Sequence, residues 1–71
     1  MFALSRHLLD ACNRHRREGH DFPTIWWDII EGHPIVAGIP VQAMEGALPV
    51  LDIRLRTGET LRFRRTEFAL I

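Results

Sequence analysis

The 71-residue sequence has only one cysteine, Cys12, and it contains no lysine and no long apolar run. A single cysteine excludes an intrachain disulfide, whereas small secreted domains usually depend on several. The longest apolar stretch, residues 35–41, contains Gly38 and Pro40 and is far shorter than the ~20 residues that a membrane-spanning helix needs. We therefore expect a cytoplasmic protein with no membrane span.

The chain also lacks net charge, because nine basic residues balance nine acidic ones. A global basic field that would attract nucleic acid is therefore excluded. The charges are nevertheless segregated, since residues 19–49 contain four acids and no arginine, while the basic residues lie toward both ends. The exclusive use of arginine suits multidentate contacts to carboxylate or phosphate, but the codon bias of a GC-rich genome is the simpler explanation.

No recognisable catalytic, cofactor-binding or metal-binding motif is present. Cys12 and His15 are three residues apart and could share a zinc ion on one helix face, but the paired spacing of structural zinc sites is missing. A chain of this size offers little material for both a core and a preorganised pocket. We predict a protein that is not an enzyme and holds no cofactor or metal, with Cys12 in the core.

Residues 50–64 are the most informative stretch, because apolar and charged side chains alternate on both sides of Gly58. Successive side chains of a strand point to opposite faces, so this alternation predicts a β-hairpin. Its apolar face would comprise Leu51, Ile53, Leu55, Leu61 and Phe63, and its charged face Asp52, Arg54, Arg56, Arg62 and Arg64. A three-residue loop at 56–58 would align Ile53 with Leu61 and Asp52 with Arg62.

The segment before the hairpin predicts two helices. Ser5 is a suitable N-cap for a helix that runs to about Glu18. Its buried stripe would consist of Leu4, Leu8, Ala11, Cys12 and His15. Residues 24–31 are ambiguous between helix and strand; Asp21 or Thr24 as a cap and Pro23 in the first turn favour a short helix.

Closely spaced glycines and prolines interrupt the segment from residue 35 to residue 49. We expect short strand pieces at 35–37 and 39–41 with a bend at Gly38, and a turn or one helical turn at 42–46. After Arg65, Thr66 would either cap a final turn or lead into a closing strand at 68–71. The prediction is one α+β domain, residues 1–71, with an N-terminal helix, a short second helix and a small curved antiparallel sheet that ends in the hairpin.

Two features suggest a binding role. Trp26 and Trp27 are adjacent and cannot both face one core, so one of them is expected at the surface as a contact for a protein partner or for a second copy in a homodimer. The leading hypothesis is a non-enzymatic binding or adaptor protein. The alternative is a nucleic-acid-binding accessory or regulatory protein that contacts phosphate through Arg54, Arg56, Arg62 and Arg64.

Overall fold

Helices cover one face of an open antiparallel sheet in the computed structural model, which describes residues 3–71. The four strands follow one another along the chain and across the sheet, in the order β1-β2-β3-β4. This arrangement confirms the predicted α+β class. The elements are α1 (Ala3–Arg17), α2 (Phe22–Ile25) with a π-helical continuation (Trp26–Ile30), β1 (Val41–Glu45), β2 (Leu48–Arg54), β3 (Thr60–Phe63) and β4 (Phe68–Leu70).

The hairpin formed by β2 and β3 has the predicted register. Ile53 lies opposite Leu61 and Asp52 lies opposite Arg62. The loop is the expected one at 56–58, since the Gly58 amide donates to the Leu55 carbonyl at 3.0 Å. Gly58 has a φ of +94°, a left-handed conformation that glycine adopts without a steric penalty. Alternation of side chains together with one glycine was therefore sufficient to fix this part of the sheet.

The turn expected at 42–46 is wrong, because these residues lie in β1 and in the loop after it. Glu45 pairs with Leu48, which leaves a two-residue loop, and Gly46 takes the positive φ (+63°) that such a tight hairpin requires at its first position. Glycine and proline on either side made a five-residue strand resemble a loop. Pro49 is tolerated inside β2 because it pairs with Met44 at a position without ladder hydrogen bonds, and β3 ends before reaching it.

Helix α1 begins earlier than expected, and the prediction of Ser5 as its N-cap is wrong. Ser5 lies within the helix and is buried, in the same stripe as Leu8, Leu9 and Cys12. These positions follow the i, i+3, i+4 and i+7 spacing of one helix face. That face turns Leu4, which was expected in the stripe, toward solvent.

The ambiguous segment 24–31 is helical as far as Ile30. Asp21 is the N-cap and accepts a hydrogen bond from the Thr24 amide at 3.1 Å. The helix widens to a π-turn, in which the Glu31 amide donates to the Trp26 carbonyl. Ile25 and Ile30 are fully buried, and Trp26 and Ile29 pack against the core as partly buried residues, so one apolar face of this helix lies on the core.

One apolar cluster joins the helices to the inner face of the sheet. Its members come from α1, the second helix and strands β2 to β4, with Ile35 and Leu55 from the segments that connect these elements. Residues 35–37 run beside the end of β2, where Val36 forms an isolated bridge with Leu55, and the chain then bends at Gly38. Of the piece expected at 39–41, only Val41 is in a strand. The closing strand is confirmed as β4, with Phe68 in the core.

Candidate functional site

The outer face of the sheet carries an ion-pair cluster formed by Glu45, Asp52, Arg62 and Arg64. Arg62 donates two hydrogen bonds to Asp52, Nε to Oδ1 at 2.7 Å and Nη2 to Oδ2 at 2.9 Å. Arg64 binds Glu45 in the same two-pronged manner, with its Nη2 at 2.7 Å from Oε2. Arg62 Nη1 also lies 3.5 Å from Glu45 Oε2. The cluster therefore links strand β1 to the β3 side of the sheet across β2.

These contacts neutralise half of the predicted arginine contact surface. Hydrogen bonds from Arg62 hold the pKa of Asp52 below its ordinary value, and hydrogen bonds from Arg64 do the same for Glu45. The same bonds raise the pKa of both arginines. Val50 lies on this face and is only 5% exposed. Two cations and two anions in direct contact leave little unbalanced charge for a phosphate group.

The other two predicted arginines, Arg54 and Arg56, are exposed. Within residues 3–71 neither of them forms an ion pair. The structure thus divides the four predicted contacts into a neutral pair and a free pair. Sequence reasoning aligned Arg62 with Asp52 but missed the partner of Arg64, because Glu45 lies in the segment that was expected to be a turn.

A groove of about 620 Å³ brings both tryptophans together with Arg56. We call it the tryptophan groove; its walls also include Glu31, His33, Pro34 and Ile39. Trp27 is 67% exposed, whereas Trp26 is half-buried and stacks on Phe22 with 6.2 Å between ring centroids. The expectation that one indole faces solvent is confirmed, and the exposed one is Trp27.

Five of the seven large exposed apolar side chains of the described residues lie along one side of the molecule. We call this strip the β1 border; it consists of Trp27, Ile39, Val41, Met44 and Leu48. Ile39 is 76% exposed and Met44 is 60% exposed. Single exposed apolar residues are ordinary on soluble proteins, but several of them along one edge of a sheet are typical of an interaction surface.

No protein-family model, curated protein or solved structure matches the chain. The function must therefore be argued from the geometry of this molecule.

The two edges of the sheet differ in how their backbone groups are satisfied. At β4, the Asn13 side chain of α1 accepts a hydrogen bond from the Phe68 amide at 2.7 Å and donates one to the Phe68 carbonyl at 3.3 Å. The carboxamide thus replaces a neighbouring strand. At β1, no further strand of residues 3–71 lies beyond Val41–Glu45. Nothing in the sequence pattern indicated the Asn13 contact, because its partners are 55 residues apart.

The residues considered for catalysis or metal binding are held in structural roles. Cys12 is fully buried, and burial raises the pKa of its thiol to about 12, so the nucleophilic thiolate is scarce at neutral pH. His15 Nδ1 lies 3.1 Å from the Ala11 carbonyl oxygen of its own helix. In the described part of the chain, no three His, Cys, Asp or Glu side chains are grouped to hold a metal ion. None of the helices described is long and apolar enough to cross a membrane.

Proposed function

We propose that this chain is a non-enzymatic binding protein that acts in the cytoplasm through self-association and through a protein partner. The observation that carries the proposal is the β1 border, where exposed apolar side chains lie along the outer edge of β1, which no strand of residues 3–71 covers. A small domain gains stability when it buries such a surface against another chain. The buried, unpaired Cys12 is the support for a reducing compartment.

The tryptophan groove supplies the chemistry of a protein contact. Trp and Arg are the residue types most enriched among the energetic centres of interfaces, and Trp27 and Arg56 are both exposed here at one groove. Trp26 is anchored on the core and gives the groove a rigid wall. An apolar side chain of a partner would bury Trp27, while Arg56 would meet a carboxylate or a backbone carbonyl at the rim.

Fluorescence quenching by acrylamide tests this proposal when each indole is observed alone. In Trp26→Phe protein, the emission comes from Trp27 and should be strongly quenched in dilute solution. It should become protected as the protein concentration rises, in parallel with an increase in mass by sedimentation. The Trp27→Phe variant is the matched control, since the half-buried Trp26 should show little change.

The partner contact needs a separate readout. Immobilised wild-type chain should retain a partner protein, and the Trp27→Ala variant should lose it. The Arg17→Ala variant is the control and should still retain the partner, because Arg17 is an exposed residue of α1 outside the groove. A chain that stays monomeric at every concentration, with equal retention by all three forms, would contradict the proposal.

The alternative function, nucleic-acid binding through the hairpin arginines, has weaker support. Arg54 and Arg56 are exposed, but Arg62 and Arg64 are engaged by carboxylates. A titration with single-stranded DNA and RNA at increasing salt is the test, because a phosphate-driven contact must weaken as salt rises. Salt-dependent binding that disappears in Arg54→Gln protein would favour this alternative over the protein contact.

A further inference from the structure

We propose that β1 pairs with β1 of a second copy of this chain, antiparallel about a two-fold axis at Ala43. The two four-stranded sheets would then form one continuous sheet. The proposal specifies the self-association in the proposed function and rests on it. Pairing at an exposed edge provides main-chain hydrogen bonds, while the alternating side chains determine the register.

The direction of the backbone groups along β1 supports this pairing. Pro49 has no amide hydrogen, so its pair with Met44 is a non-hydrogen-bonded pair, and Gln42 with Leu51 is the next one along the ladder. Gln42 and Met44 therefore direct their amides and carbonyls away from β2, toward the open edge. Antiparallel neighbours exchange two hydrogen bonds at such positions, and these two residues provide both of them.

The ends of β1 restrict the register. Pro40, just before the strand, has no amide to donate, and the chain turns away at Gly46 after it. Full overlap of Val41–Glu45 with its copy places Gln42 opposite Met44 of the second copy and Ala43 opposite Ala43. Every outward amide and carbonyl between Pro40 and Gly46 is then paired.

Charge and apolar contacts agree with this register. Glu45 is the only charged residue of β1, and it would lie opposite Val41 of the second copy rather than opposite another carboxylate. Its charge is already balanced by Arg64. Ile39 would approach the Gly46–Leu48 turn of the second copy, so that exposed apolar residues of the β1 border meet.

The absence of protection at this edge favours a second copy as its occupant. Natural edge strands avoid pairing through lysines, bulges, inward charges or a covering element. Asn13 and α1 provide such a cover at β4. Strand β1 carries no basic residue, and the residues whose amides and carbonyls point outward from it are the uncharged Gln42 and Met44. The surface is also self-complementary about Ala43, a property that a two-fold interface requires and that a different partner does not.

Cysteine scanning tests the register directly. In the proposed dimer the two Ala43 residues form a non-hydrogen-bonded pair, the closest approach of Cβ atoms in an antiparallel sheet and one suited to a disulfide. Ala43→Cys protein should oxidise to a covalent dimer, whereas Val41→Cys should not, because its two copies are about 13 Å apart along the strands. Cys12 is buried and does not compete. Faster cross-linking at position 41 or 42 than at position 43 would overturn the register.

A charge pair at Ala43 provides a second test that does not depend on disulfide geometry. Ala43→Lys and Ala43→Glu each place like charges opposite one another, so each should lose the dimer in sedimentation, and an equimolar mixture should restore it. Circular dichroism confirms that each variant is folded. If wild-type protein associates but neither charge affects it, edge pairing is wrong while self-association stands. If wild-type protein is monomeric throughout, edge pairing and the self-association of the proposed function both fail, and only the contact with a protein partner stands.

Discussion

The two edge strands of the sheet, β1 and β4, have the same kind of backbone, but their outward-facing sides have different surroundings. At β4, helix α1 lies alongside, Asn13 binds both outward backbone groups of Phe68, and the Phe68 side chain is 1% exposed. At β1, the strand faces solvent, and Met44 is 60% exposed. We call these the sealed edge and the open edge.

The difference shows how a short chain distributes its limited apolar surface. Helix α1 packs against β4, the edge strand that contributes Phe68 to the core, whereas β1 contributes no residue to the core cluster. The other edge keeps its hydrogen-bonding groups and its apolar side chains available. We therefore expect stability to be concentrated at β4, and we propose association at β1.

The largest expected effect comes from truncating a core residue of the sealed edge. Phe68→Ala removes the ring that contacts Phe63 at 4.9 Å, and a buried Phe→Ala change costs about 3–5 kcal/mol in free energy of unfolding. Met44→Ala at the open edge should cost less than about 0.5 kcal/mol in the monomer. Urea unfolding at low protein concentration measures both.

Phe68→Ala protein is at risk of not folding, so Phe68→Leu serves as a milder variant, with an expected loss below about 1.5 kcal/mol. Equal losses at Phe68 and Met44 would show that the two edges do not differ in stability.

A smaller loss of stability is expected when the Asn13 side chain, which covers the sealed edge, is removed. Asn13→Ala leaves the Phe68 amide and carbonyl without their partner, and an unsatisfied buried backbone group costs about 1–3 kcal/mol. Asn13→Asp retains an acceptor for the Phe68 amide and loses only the donor to the carbonyl, so it should fall between Ala and wild type. Urea unfolding orders the three proteins. An alanine variant as stable as wild type would mean that solvent replaces the side chain without cost.

The strand at the open edge, β1, was harder to predict from the sequence than the hairpin of β2 and β3. Alternation in 50–64 and one glycine specified the register of β2 with β3, because both signals are local to the hairpin. Strand β1 has a weaker signal, since glycine and proline flank it and only five residues carry the pattern. Its pairing with β2 depends on the two-residue loop that begins at Gly46, whereas the expected turn ended at Gly46.

The remaining errors arise from contacts between distant residues. Ser5 has the chemistry of a cap, but the packing of α1 on the core decides which face is buried, and that face includes Ser5. The role of Asn13 as a hydrogen-bond partner can be recognised only when β4 is known to lie beside it. The candidate site was predicted in part: Trp27 proved to be the exposed indole beside Arg56, and the hairpin register placed Arg62 opposite Asp52, but the pairing of Arg64 with Glu45 required knowledge of β1.

The smallest effect is expected when the pH is lowered, because acid should weaken the ion pair of Glu45 at β1 and leave the Asn13 contact at β4 unchanged. The folded-state pKa values of Asp52 and Glu45 are lowered, so their ion pairs contribute stability that is fully present above the ordinary carboxyl values of 3.8 and 4.5. This contribution is lost as pH falls through the lower folded values. The melting temperature gap between wild type and Glu45→Gln should therefore be constant above about pH 5.5 and close toward pH 3. The Asn13 seal contains no titratable group, so the gap for Asn13→Ala should stay the same at both pH values. A Glu45→Gln gap that does not narrow at all between pH 5.5 and pH 3 would show that Glu45 stabilises β1 through packing rather than through charge.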